Sequence, residues 1–161
     1  MSIDLFNRCV DDHSDALYRF ILKNIKDKEK ARDIVQDSYE KLWQQLESVN
    51  PGKIKSWLFT VAYHAMIDML RKDKRSVSIE SVSEDQHSHS VQYNDLSRIL
   101  HEAAGKLPDI QRSVLMLRDY EGYSYNEIAG ITGLSETQVK VYIYRARMFL
   151  KKYIGKMEVL I

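Results

Sequence analysis

Residues 120–152 read YEGYSYNEIAGITGLSETQVKVYIYRARMFLKK, and two helix starts are written into them. Ser124-Tyr-Asn-Glu127 has the capping-box spacing: the serine oxygen can accept from the amide three residues on, while the glutamate reaches back to the serine amide. Ile128, Ala129 and Ile131 give the short helix that follows a buried face. Gly133 supplies a residue that tolerates positive φ at a tight turn. Ser135-Glu-Thr-Gln138 repeats the capping pattern and opens a longer helix. Two capped helices joined by a few residues with a glycine are the layout of a helix-turn-helix.

The longer helix sorts its side chains by face. Val139, Ile143, Ala146 and Leu150 fall on one side, as a packing face should. Lys140, Tyr144, Arg147 and Lys151 form an outward row, flanked by Thr137, Val141, Arg145 and Met148. No acidic residue occurs between Glu136 and Glu158, against Lys140, Arg145, Arg147, Lys151, Lys152 and Lys156. A recognition helix presents its N-terminal part to base edges and its cations to phosphates. Thr137, Gln138, Lys140, Val141 and Tyr144 are therefore candidate base readers, and Arg145, Arg147 and Lys151 candidate phosphate contacts. An ordinary amphipathic helix with a solvated basic face is the blander alternative, and the paired capping boxes weigh against it.

Outward from this segment, the chain of 161 residues has the composition of a globular protein: 44% apolar and 29% charged. Its two prolines, Pro51 and Pro108, leave long stretches free of helix breakers. Ile3 to Ile21 recur at broadly helical spacing. Ala31, Ile34, Val35, Tyr39, Leu42 and Leu46 predict a helix over 28–49, ended by Asn50-Pro51-Gly52. A third helix is expected over 53–75. Residues 76–94, SVSIESVSEDQHSHSVQYN, lose apolar periodicity and gain serine, the character of a flexible acidic linker. Helical spacing resumes at Asp95 and continues past the Leu107-Pro108-Asp109 break. The expected fold is all-α: two small helical domains, 1–75 and 95–161, joined by the linker 76–94, the second a helix-turn-helix.

The net charge of +1 conceals a segregation. Residues 1–50 and 76–109 are net acidic, whereas 51–75 and 110–161 are net basic. Nucleic-acid binders carry such local footprints even when the whole chain is near neutral. The upstream basic segment places Trp57, Thr60, His64, Asp68, Arg71, Lys72 and Arg75 along one stripe of an otherwise apolar helix. A tryptophan aligned with cations can stack on an exposed base, or it can pack beneath the preceding loop. Asp33, Gln36, Asp37 and Glu40 form a polar row on the helix before it, either a solvated face or a dock for a basic partner.

The single Cys9 excludes an intramolecular disulfide and a cysteine zinc site. His87 and His89, with no cysteine near, are read as linker residues and not as metal ligands, so no cofactor is expected. The acidic start MSIDLFNRCVDDHSD is unlike a secretory signal, and no stretch has the roughly 18 apolar residues of a membrane span. A cytoplasmic protein is expected. No phosphate loop, nucleophile motif or metal-ligand spacing points to an enzyme. A stand-alone helix-turn-helix regulator is the chief competing reading, and it has no use for residues 31–75.

Taken together, KARDIVQDSYEKLWQQL around 31–46, KSWLFTVAYHAMIDMLRKDKR (55–75), LPDIQRSVLMLRDYEGYSYNEIAGITGLS (107–135) and ETQVKVYIYRARMFLKK (136–152) resemble a bacterial sigma factor of the extracytoplasmic-function type, the minimal class with regions 2 and 4. The resemblance implies a dissociable subunit of RNA polymerase that is not itself an enzyme. It implies that Asp33, Gln36, Asp37 and Glu40 hold the clamp helices of the largest subunit, and that the second module meets the flap of the second-largest. Trp57, His64, Asp68, Arg71, Lys72 and Arg75 match the region that opens the −10 element, and the helix after Ser135 matches the −35 reader. An anti-sigma factor is an implied partner; a small-molecule substrate is not. His64 stands where many relatives carry asparagine, Val49 where phenylalanine is frequent and Tyr142 where arginine is, so no promoter consensus carries over.

Overall fold

The computed structural model describes residues 2–77 and 95–160, all of whose regular structure is helical. Of the linker expected over 76–94, Ser76 and Val77 are instead the end of α3, which carries the helix two residues past the expected boundary at 75, and residues 78–94, with His87 and His89, lie outside the described residues. The elements are α1 (Ser2–Ile25), α2 (Lys28–Gln44), a 3₁₀ turn (Pro51–Lys53), α3 (Ile54–Val77), α4 (Asp95–Gly105), α5 (Asp109–Asp119), α6 (Tyr125–Thr132) and α7 (Glu136–Leu160).

Local chemistry sets the boundaries. Lys26 turns the corner after α1 in the left-handed region at φ 63°, and its amide closes α1 on the Leu22 carbonyl at 2.7 Å. Asp27 then caps α2, its carboxylate accepting from the amides of Glu29 and Lys30 at 3.1 Å each. Helix α2 stops at Gln44, earlier than its apolar spacing predicts. The Ser48 amide and hydroxyl both donate to the Gln45 carbonyl, at 2.9 and 3.0 Å, and this local turn competes with the helical ladder. Leu46 and Val49 still reach the core, which is why the periodicity runs past the helix end.

In the first helical unit, Leu17, Phe20 and Ile21 of α1 meet Ala31, Ile34 and Leu42 of α2 and Leu58, Phe59, Ala62 and Met66 of α3, all fully buried or nearly so. In the second, Val114 and Leu117 of α5 meet Ile128 and Ile131 of α6 and Val139, Ile143 and Ala146 of α7. Burying each large aliphatic or aromatic side chain contributes about 1.5–3 kcal/mol. A truncation such as Phe59→Ala, which also leaves a cavity, costs about 3–5 kcal/mol.

The two units share this core instead of standing apart. Phe59 of α3 packs on Phe20 at 5.4 Å between ring centroids and on Tyr123, ahead of α6, at 5.6 Å. Arg112 of α5, 5% exposed, donates to Asn24 of α1. Lys74 of α3 pairs with Asp109 of α5 at 2.9 Å. Among the described residues one buried side-chain polar atom has no hydrogen-bond partner, the Tyr123 hydroxyl, and it sits in this junction.

Candidate nucleic-acid interface

Helix α6 is held at both ends. Ser124 Oγ accepts from the Glu127 amide at 3.1 Å, and the Glu127 carboxylate accepts from the Ser124 amide at 2.8 Å. Gly133 closes it in the left-handed region at φ 82°. The second capping box is formed too: Ser135 Oγ accepts from the Gln138 amide at 3.1 Å and Gln138 Oε1 from the Ser135 amide at 2.9 Å. These contacts fix the angle at which α7 leaves the turn. They also commit the carbonyl of Gln138, leaving its amide donors for a base.

On α7 the predicted division of faces is observed. Val139, Ile143 and Ala146 are buried, while Thr137, Gln138, Lys140, Val141, Tyr144, Arg145, Arg147 and Lys151 are all exposed. Tyr144 is 65% exposed, a large aromatic surface offered to solvent beside the exposed Val141 and Met148 and the cations of the same face.

Three residues that the sequence reading passes over join this face. The Arg118 guanidinium lies 4.6 Å from the centroid of the Tyr125 ring, and Lys140 Nζ lies 5.7 Å from it. Asp119 takes a hydrogen bond from Arg147 at 2.7 Å, which raises the pKa of the guanidinium further above its ordinary value. Cations from α5 and α7 are thus gathered about one ring at the start of α6. No periodicity reports this, because the residues lie on three helices.

The upstream stripe is only partly surface. His64, Asp68, Arg71, Lys72 and Arg75 are exposed, whereas Trp57 and Thr60 are half-buried and Trp57 packs on the core. Thr60 returns its hydroxyl to the Ser56 carbonyl at 2.8 Å. His64 stacks edge-on against Tyr63 at 5.2 Å and faces the helix-turn-helix: a Cβ on Gly133 would lie 4.0 Å from His64 Cε1. Arg71 and Lys74 rim a cleft of about 310 Å³ whose other walls include Pro108, Ile110 and Tyr142 of the second unit. On α2, Asp33, Gln36, Asp37 and Glu40 are all exposed along one side. Trp43, one turn further, is 47% exposed and was not anticipated; it meets Phe6 edge-on at 5.2 Å.

An all-helical chain with a doubly capped helix-turn-helix and a second cationic helix is a two-module DNA-binding protein. Its family follows from comparison with known proteins. Residues 9–76 match the Sigma-70 region 2 family and residues 97–150 the Sigma-70 region 4 family. RNA polymerase sigma factor SigV of Bacillus subtilis is 35% identical over 154 residues, 92% of this chain and 90% of the relative. ECF RNA polymerase sigma factor SigM of the same organism is 32% identical, covering 84% and 86%. Among solved structures, sigma factor RpoE of Bartonella quintana, determined in complex with the anti-sigma factor NepR, superposes with a TM-score of 0.78. It is 29% identical, over 93% of this chain and 96% of that one.

The chain belongs to the sigma-70 family, as a sigma factor of the extracytoplasmic-function type. It directs promoter-specific transcription initiation and is not itself an enzyme. Among the described residues no helix is long and apolar enough to cross a membrane.

Proposed function

We propose that α7 reads the −35 element. Thr137, Gln138, Lys140, Val141 and Tyr144 face base edges, and Arg145, Arg147 and Lys151 hold phosphates. The observation that carries this is the clean separation of faces on a helix whose start is fixed by the Ser135–Gln138 capping box, as α6 before it is by Ser124–Glu127. Arg118 and Tyr125 extend the same surface to the flanking backbone, where a guanidinium on an aromatic face keeps its charge and its orientation together.

The exposed residues of α3, His64, Asp68, Arg71, Lys72 and Arg75, belong to the −10 element, with Trp57 supporting them from beneath. Asp33, Gln36, Asp37 and Glu40 of α2 dock the clamp helices of the largest subunit of core RNA polymerase, and the unit 95–161 meets the flap of the second-largest. The domain boundaries are 1–75 and 95–161. An anti-sigma factor is a partner, on the example of the relative solved with NepR. The protein works in the cytoplasm, where bacterial RNA polymerase is found.

The experiment is binding of the purified chain to bacterial core RNA polymerase, followed by run-off transcription from genomic fragments. New promoter-specific transcripts that require the chain are expected, and their shared upstream sequences give the −35 and −10 elements. Retained duplex binding without core binding would overturn the reading of α2.

A further inference from the structure

Gln138 has two ends with different tasks. Its Oε1 accepts from the Ser135 amide at 2.9 Å, while its own main-chain amide donates to Ser135 Oγ at 3.1 Å. An N–H faces an acceptor, so the side-chain atom turned back to the turn is the oxygen and not the nitrogen. Nε2, with its two hydrogens, is left at the free end of the head, on an exposed residue. Among the described residues it donates to no other group.

The neighbouring helix closes the same motif differently. At α6 the third position is Glu127, whose carboxylate accepts from the Ser124 amide at 2.8 Å. A carboxylate suits that task better than an amide, because it only accepts and its charge is favoured at a helix N-terminus. Helix α7 carries the amide instead. The cap needs its oxygen alone, so the neutral head and its two donors are surplus to the turn, on a face that meets DNA.

Taking α7 as the −35 reader proposed above, we infer that Gln138 is a specificity-determining residue which meets its base as a donor alone, and so selects guanine over adenine at one base pair of the element. A glutamine free to turn reads adenine with both ends of its amide, Nε2 donating to N7 and Oε1 accepting from the N6 amino group. Here the oxygen is held by the Ser135 amide and the donors point outward. The edge that suits them carries acceptors only, the N7 and O6 of guanine. Thymine offers one acceptor beside its methyl group. Adenine sets amino hydrogens against those of Nε2, and cytosine presents its own N4 donor.

The surroundings agree with this assignment. Gln138 is the third residue of α7, in the part of a recognition helix that reaches base edges. Lys140, on the same exposed side, is a donor without acceptors. The nearby carboxylate that could accept from a base, that of Glu136, faces Lys140 Nζ at 4.0 Å.

The test uses the chain assembled with core RNA polymerase and a promoter fragment that it transcribes, with every base pair of the −35 element replaced in turn. Wild type, Gln138→Ala and Gln138→Glu are compared by binding across the set. The wild type should prefer guanine to adenine and cytosine at one pair by about ten-fold, the scale of a base-edge contact. Gln138→Ala should level that preference and leave the other pairs unchanged. Gln138→Glu keeps an acceptor for the Ser135 amide, so helix content by circular dichroism should be retained, while its carboxylate should move the preference at that pair to cytosine. A wild-type preference for adenine at the pair that Gln138→Ala levels would overturn the inference, since the oxygen would then be reading the base. Loss by the same factor on every sequence in both variants would overturn it too, leaving Gln138 a cap and no reader. Failure of the −35 assignment itself looks different: Lys140→Ala and Arg145→Ala would then bind the whole set as the wild type does.

Discussion

Arg112 of α5 and Asn24 of α1 are held together by two hydrogen bonds of 3.1 Å, one to the asparagine side chain and one to its main chain, although 88 residues separate them. The asparagine in turn donates to the Phe20 carbonyl one turn back, at 2.8 Å, which fixes its side chain before Arg112 arrives. A guanidinium has five donors in a fixed fork, and here it joins the end of one helix, the start of another and a carboxylate.

Acid should weaken this junction through Asp109. Burial alone would raise the pKa of its carboxyl, but the hydrogen bonds from Lys74 and Arg112 outweigh burial and hold it below its ordinary value. A carboxyl with a depressed folded-state pKa contributes stability that is complete above its unfolded pKa and lost as pH falls through the folded one. The urea midpoint of the wild type should therefore exceed that of Asp109→Asn near neutrality. The difference should shrink as pH drops below the carboxylate range. A gap that stays constant with pH would refute the linkage.

On the DNA face, Lys140→Ala and Arg145→Ala should each weaken duplex binding, and loss of one phosphate contact should lower the salt slope by about 0.9. Asp119→Asn is expected to act in the opposite direction. It releases Arg147 from its 2.7 Å pair and removes a negative charge from the surface that meets phosphate. Titration of a −35 fragment across a range of salt concentrations checks all three, and weaker binding by Asp119→Asn would show that the pair orients Arg147 productively.

Gly133→Ala tests the turn. The backbone there sits at φ 82°, where a Cβ costs about 1–2 kcal/mol, while the nearest atom to that Cβ would be His64 Cε1 at an ordinary 4.0 Å. Strain and not collision should set the penalty. A loss of about 1–2 kcal/mol in thermal or urea unfolding is expected, with retained helix content, and no loss would mean that the turn relaxes freely.

For the polymerase surface, replacing Asp33 and Asp37 together with alanine should cut affinity for core enzyme by about ten-fold, equivalent to 1.4 kcal/mol. Both side chains are exposed, so the fold should be unaffected. Duplex binding by α7 should persist. Equal affinity of the variant and the wild type for core enzyme would remove α2 from the docking surface.

The helix-turn-helix was legible because its signals are local. Ser124, Glu127, Gly133, Ser135 and Gln138 act within a few residues of one another, and their spacing alone implies the bonds observed. The faces of α7 followed from periodicity for the same reason. The end of α2 was misplaced because Leu46 and Val49 keep the spacing of a helix while the Ser48 turn carries them into the core. What joins the two units left no trace in sequence pattern. Asn24 reads as an ordinary polar residue near a helix end, Arg112 as one more cation, and Tyr123 as part of a loop; their roles arise only when distant helices meet. The clustering of Arg118, Tyr125 and Lys140 was hidden likewise.

The aromatic chain Phe20–Phe59–Tyr123 runs through both units, and its continuity sets the fate of any molecule in which they separate. Parting them bares Phe59 and the Tyr123 ring to water, apolar surface that is normally removed from it. An opened molecule is consequently adhesive. It refolds onto itself, finds the surface of a larger assembly, or joins another opened copy in a precipitate, and the rates of these three fates depend differently on concentration. Overproduced without a binding partner, the chain should lose solubility soonest in the variants that open most readily.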